Sequence, residues 1–187
     1  EAVQSLQAGL ALLDSGRDPQ LTAVANQALL DAMVDCGEFC RAAELLLESG
    51  LRQAFSSDPL NLLRLRWVEG KILAGLGKLS RAEQVFEAVR EEFREKGLEY
   101  DAALAGLDLA AVWLQEGRVS EVRSLAQGML EIFRDLKVHR EAVKALRFFH
   151  LACKEKVVTA QLATGVRSFL ERLQNEPKLR FEPGSIG

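Results

Sequence analysis

Four groups of side chains in this 187-residue chain have the types and spacing to do chemistry. Cys36 and Cys40 stand four apart and straddle Gly37. A structural zinc needs four nitrogen or sulfur ligands, and no second pair or nearby histidine completes the set. The two cysteines are expected to be small buried hydrophobes. His150 and Cys153 fall one helical turn apart, but a thiolate nucleophile also needs an oriented acid partner, which is missing. Trp67 lies between Arg64 and Lys71, an amphipathic aromatic with two cations, suited to gripping an extended or helical peptide. Packing of Trp67 between repeats is the alternative. Lys144, Arg147 and Lys154 recur at helical spacing and could pair with carboxylates or a phosphate, or simply be solvated. No phosphate loop, dinucleotide fingerprint or His-Glu-x-x-His occurs. The chain is expected to bind rather than catalyse, with no cofactor and no metal.

The elements that would position these residues follow from a repeat. Gly37, Gly77 and Gly117 are forty residues apart, and each opens a similar phrase: Gly-Glu-Phe-Cys-Arg-Ala-Ala, Gly-Lys-Leu-Ser-Arg-Ala-Glu and Gly-Arg-Val-Ser-Glu-Val-Arg. Asp18-Pro19 and Asp58-Pro59 keep the same period, as do Ala42, Ala82 and Val122. Asp before Pro starts a helix well, because Asp caps free amides and Pro has none to leave unpaired. A fixed period in this range marks stacked supersecondary units.

Each unit reads as two helices. Leu62, Leu65, Val68, Ile72 and Leu76 form the apolar stripe of a helix A over about 60–76, which Gly77 closes in the left-handed conformation. Ser80 and Glu83 predict a capping box for helix B. In the next unit helix A spans about 99–116 and helix B about 120–136. Glu91, Glu92 and Glu95 beside Arg90, Arg94 and Lys96 read as ion pairs one turn apart on a solvated face. The fourth unit, from about His139, has Val157 where the turn glycine should stand, as expected of a terminal capping repeat. The spacing gives a partial unit over 1–16, units over about 18–57, 58–97, 98–137 and 138–174, and a tail over 175–187. The first residues read as the second half of a unit, so the chain is expected to be a piece of a longer protein.

Bulk properties narrow the function. The apolar fraction of 48% supports a core, and no segment approaches the ~18 uncharged apolar residues of a membrane span. The opening residues lack a basic segment followed by an apolar one, so no secretory signal is expected. Three cysteines, an odd number, point to a reducing, cytoplasmic setting. A net charge of -3 argues against direct nucleic-acid binding. Residues 1–57 carry eight acids and three bases, whereas residues 134–187 carry six acids and eleven bases. Head-to-tail stacking through these ends, a structural self-assembly, is therefore a second reading.

Gly70, Leu73, Gly77, Ala82 and Phe86 resemble the tetratricopeptide pattern, although that repeat has about 34 residues. The longer helices and the linker Phe93-Arg94-Glu95-Lys96-Gly97-Leu98 are similar to the variant in bacterial transcription regulators. The resemblance covers about residues 1–174; Ala110 and Val122 depart from it in the third unit. It implies an all-α fold, a right-handed α-solenoid of stacked helix-turn-helix repeats, with helix A of each unit lining a concave side. The groove would then include Gln27, Asp31, Arg64, Trp67, Lys71, Leu104, Leu107, Ala111, Lys144, Arg147 and Lys154. The implied function is a protein or peptide interaction module, the scaffolding or sensory part of a larger bacterial regulatory protein.

Overall fold

A computed structural model of the chain describes residues 2–13, 17, 19–135 and 139–185. Among them the structure is helical, without a strand: α1 (Ala2–Leu10), α2 (Pro19–Asp35), α3 (Phe39–Glu48), α4 (Leu51–Ala54), α5 (Pro59–Gly75), α6 (Leu79–Glu95), α7 (Glu99–Gln115), α8 (Val119–Asp135), α9 (Arg140–Lys154), α10 (Ala160–Asn175) and a 3-10 turn at Pro183–Ser185. The forty-residue period holds at both ends of the first helix of each pair. α2, α5 and α7 start at Pro19, Pro59 and Glu99 and end at Asp35, Gly75 and Gln115. The helices that follow them in the chain at the same period, α3, α6 and α8, start at Phe39, Leu79 and Val119.

The turn chemistry explains this regularity. Gly37, Gly77 and Gly117 have φ of 76°, 72° and 75°, where a residue without a β-carbon sits at no steric cost. Each glycine N–H donates three residues back, and the next N–H donates five back: Gly77 to Ala74 and Lys78 to Leu73, for example. These bonds satisfy carbonyls that the helix end would leave open. The fourth turn keeps the same pair of bonds without a glycine, from Lys156 to Cys153 and from Val157 to Ala152. Here Lys156 takes the left-handed conformation, with φ 58°. The turn thus sits one residue earlier than the glycine register, because α9 ends at Lys154.

The helix starts divide into expected and corrected. The Asp58 carboxylate accepts the Asn61 N–H at 3.1 Å, with Pro59 in the first turn, as the sequence predicts. Thr159 caps α10 likewise through Leu162. The predicted capping box at Ser80 does not form, since α6 already begins at Leu79 and places Ser80 inside its first turn. Asp18 and Leu136, a predicted cap and a predicted helix end, lie outside the described residues.

The chain divides into two compact units, Glu1–Val85 and Phe86–Gly187, with the division inside α6. In the first, α2 packs against α1, α3, α4 and α5, and α3 packs against α5. The first helices of the two pairs that begin here, α2 and α5, thus lie side by side. Leu30, Ala42 and Leu51 are wholly enclosed in this core, together with Val68 and Ile72. In the second unit the packed pairs are α7 with α8, α8 with α9, α9 with α10 and α10 with α7. This is a four-membered ring. α10 covers α7 through the Tyr100 hydroxyl, which donates to the Leu170 carbonyl at 2.7 Å. The largely buried ion pair of Arg167 with Asp108, at 3.1 Å, adds to it. Phe133, Phe149, Leu107 and Leu146 are fully enclosed there, each burial being worth about 1.5–3 kcal/mol.

Candidate functional site

Within the second unit, α8 and α9 border a cleft of about 300 Å³. Each helix lines it at the same spacing: Gln127, Leu130, Glu131 and Arg134 from α8, and Arg147, His150, Leu151 and Lys154 from α9. Residues three and four apart share a helix face, so two such faces meeting produce one continuous wall. The wall carries three cations, and among the described residues none of the three pairs with a carboxylate. The single acid, Glu131, accepts the Gln127 amide at 2.9 Å. His150 is only 8% exposed, and its Nδ1 is buried with no hydrogen-bond partner. Burial is the main cause that lowers the pKa of His150, aided by the positive charges of Lys154, Arg123 and Arg134. The imidazole is therefore neutral at physiological pH.

A second feature of this unit is the segment after α10, which lies across α9 and α10. The His139 ring caps α9, with Nδ1 accepting the Glu141 N–H, while Nε2–H donates to the Pro177 carbonyl at 2.7 Å. The buried Glu141 carboxylate accepts the Phe181 N–H at 2.8 Å and the Lys144 ammonium at 2.7 Å. Those two bonds, Lys144 first, hold the Glu141 carboxyl below its usual range. The Phe181 ring meets Phe169 edge-on at 5.2 Å and Phe148 at 5.7 Å. An aromatic anchor with backbone hydrogen bonds beside it is how folded domains hold extended peptides.

The predicted site residues are dispersed. Leu104 and Leu107 are 2% and 0% exposed, so they belong to the core and not to a groove; α10 occupies the side of α7 expected to be open. Trp67 is 7% exposed, with the Lys71 ammonium 4.4 Å from its ring centre, while Arg64 is exposed. Gln27 and Asp31 are half-buried on α2. Of the fourth-unit cations, Arg147 and Lys154 line the cleft and Lys144 does not, being engaged with Glu141. Arg134 and His150 complete the cleft and are not among the residues the sequence places with these cations. The available signal was the matching spacing of 127–134 and 147–154 on the two helices of a hairpin.

The cysteines also differ from expectation. Cys36 and Cys40 are exposed, because they flank a surface turn. Cys153 is buried, and burial pushes its thiol up to about 11, so it stays protonated beside His150. Among the described residues no group of His, Cys, Asp or Glu is placed to hold a metal. Among the described residues no helix is long and apolar enough to cross a membrane. No family model, curated protein or solved structure matches the chain.

Proposed function

We propose that this chain is an interaction module that holds an extended peptide segment against paired helices. The observation that carries this reading is the docking of residues 177–181 on α9 and α10. There the chain treats its own irregular segment, which leaves α10 through a turn at Pro177 and Lys178, as a ligand, with Phe181 as anchor and Glu141 and His139 as backbone partners. A right-handed α-solenoid of tetratricopeptide-like repeats is the architecture we propose for the parent protein; the stacking in the first unit and the forty-residue turn period support it. In that setting the module serves as the scaffolding or sensory part of a cytoplasmic bacterial regulator, and it acts by binding, without turnover. A protonated, buried Cys153 thiol is in keeping with that role.

The test is a fluorescent peptide with the sequence of residues 176–185, titrated into the parent chain and into the Phe181→Ala variant. The variant's loosened tail should expose the site, so peptide affinity should rise relative to the parent, and Phe148→Ala should abolish the gain. If Phe181→Ala gains nothing while remaining folded, the reading fails. A salt-dependent oligomer of the parent chain in sizing experiments would instead favour self-assembly through its oppositely charged ends.

A further inference from the structure

We propose that the cleft between α8 and α9 binds a phosphate-class oxyanion, held by Arg134, Arg147 and Lys154 beside His150. This proposal is independent of the tail and stands on three observations. First, the cations converge on a cavity of about 300 Å³, room for a phosphate group and the atoms that carry it. Second, all three face one concavity and none of them has an acidic partner among the described residues. Arg41 pairs with Glu38, Arg52 with Glu69, Arg94 with Glu91 and Arg118 with Glu121, whereas the acid in the cleft is engaged with Gln127. Three like charges around a concavity repel one another until an anion enters, and low-dielectric walls strengthen its attraction. Third, a nine-tenths buried imidazole lines the same cavity and can donate a hydrogen bond to an anion there.

The chemistry also sets a pH signature. Nδ1 is sealed, so the hydrogen that His150 offers a ligand sits on Nε2. The charged groups acting on the ring are Lys154 of its own helix and Arg123, Arg134 and Glu131 of α8. A bound dianion offsets the three cations and favours the imidazolium, so binding takes up a proton. Affinity therefore rises as pH falls through the pKa of His150 in the complex, and levels off below its lowered value in the free protein.

Sulfate is the first probe, because it stays a dianion throughout this range. The two histidines can be followed by NMR, with His139 as internal reference. Sulfate should raise the pKa of His150, and Arg134→Gln with Arg147→Gln should weaken binding by about tenfold or more. Lys144→Gln should leave it unchanged, and the double Lys variant at 134 and 147 should restore part of it. An unchanged His150 titration at saturating sulfate, or an equal response in the double Gln variant, overturns the site. A phosphoserine peptide and its unphosphorylated twin distinguish the source. Tighter binding of the phosphopeptide than of sulfate places the anion on a partner segment; equal binding identifies a free anion.

Discussion

The ring of Phe39 in α3 lies directly over the backbone of Gly75, at the end of α5. A β-carbon at Gly75 would overlap three carbons of that ring, Cγ, Cδ1 and Cδ2. Glycine here is a packing requirement, since Gly75 belongs to the helix and needs no special φ. In an exposed helix, Gly→Ala gains about 0.5–1 kcal/mol. Gly75→Ala should instead lose about 1–3 kcal/mol through overpacking, measured by urea unfolding. A stabilised variant would show that α3 and α5 do not meet as described.

Lys156 should respond in the opposite direction. It is the described non-glycine residue with positive φ, at a turn otherwise built by glycines. The left-handed conformation costs an ordinary residue about 1–2 kcal/mol, partly offset in Gly by a more flexible unfolded chain. Lys156→Gly should therefore stabilise the protein by about 0.5–1 kcal/mol, read as a raised Tm.

Trp67→Ala separates a core role from a partner contact. Burial of this side chain predicts a loss of about 3–5 kcal/mol in folding stability. Arg64→Ala, at an exposed position, should stay within about 0.5 kcal/mol of the parent. Denaturant midpoints of the two variants measure the contrast.

Docking of the tail should weaken in acid. The folded-state pKa of Glu141 is lowered, so its contribution is complete above the ordinary carboxylate value of about 4.3 and disappears as pH falls through the lowered one. The Phe181 amide, protected from hydrogen exchange at neutral pH, should lose protection in that window. Glu141→Gln keeps an acceptor without the charge and should remove the pH dependence.

Thiol alkylation should divide the cysteines. Cys36 and Cys40, exposed beside a turn, should react with iodoacetamide in the native state, and Cys153 should react only on unfolding. Mass spectrometry after timed labelling gives the order, and rapid labelling of Cys153 would contradict its burial.

The period and the turns could be read from the sequence because their causes are local: a glycine at positive φ and an Asp-Pro start act within a few residues. The ring in the second unit could not, because it depends on which helix covers α7. One signal was present. Ala102, Ala103, Leu104, Ala105, Leu107, Leu109 and Ala110 leave α7 apolar on nearly every side, the mark of a helix covered all round. A groove-lining helix would have kept a polar face. Likewise Arg147 and Lys154 were recognised on one helix, but Arg134 and His150 join them only once α8 and α9 pack. Cys36 and Cys40 are exposed, against the expectation from residue type, because they flank a surface turn.

The two kinds of closure in the second unit also imply an order of assembly. The turns after α6, α7 and α9 form through bonds spanning three and five residues, so each hairpin can close almost as soon as its helices exist. The Tyr100–Leu170 bond joins positions 70 apart and must wait for the intervening chain to be compacted. The seam between α7 and α10 is thus the last to shut and the first to part. It governs how long the folded molecule survives more than how fast it forms.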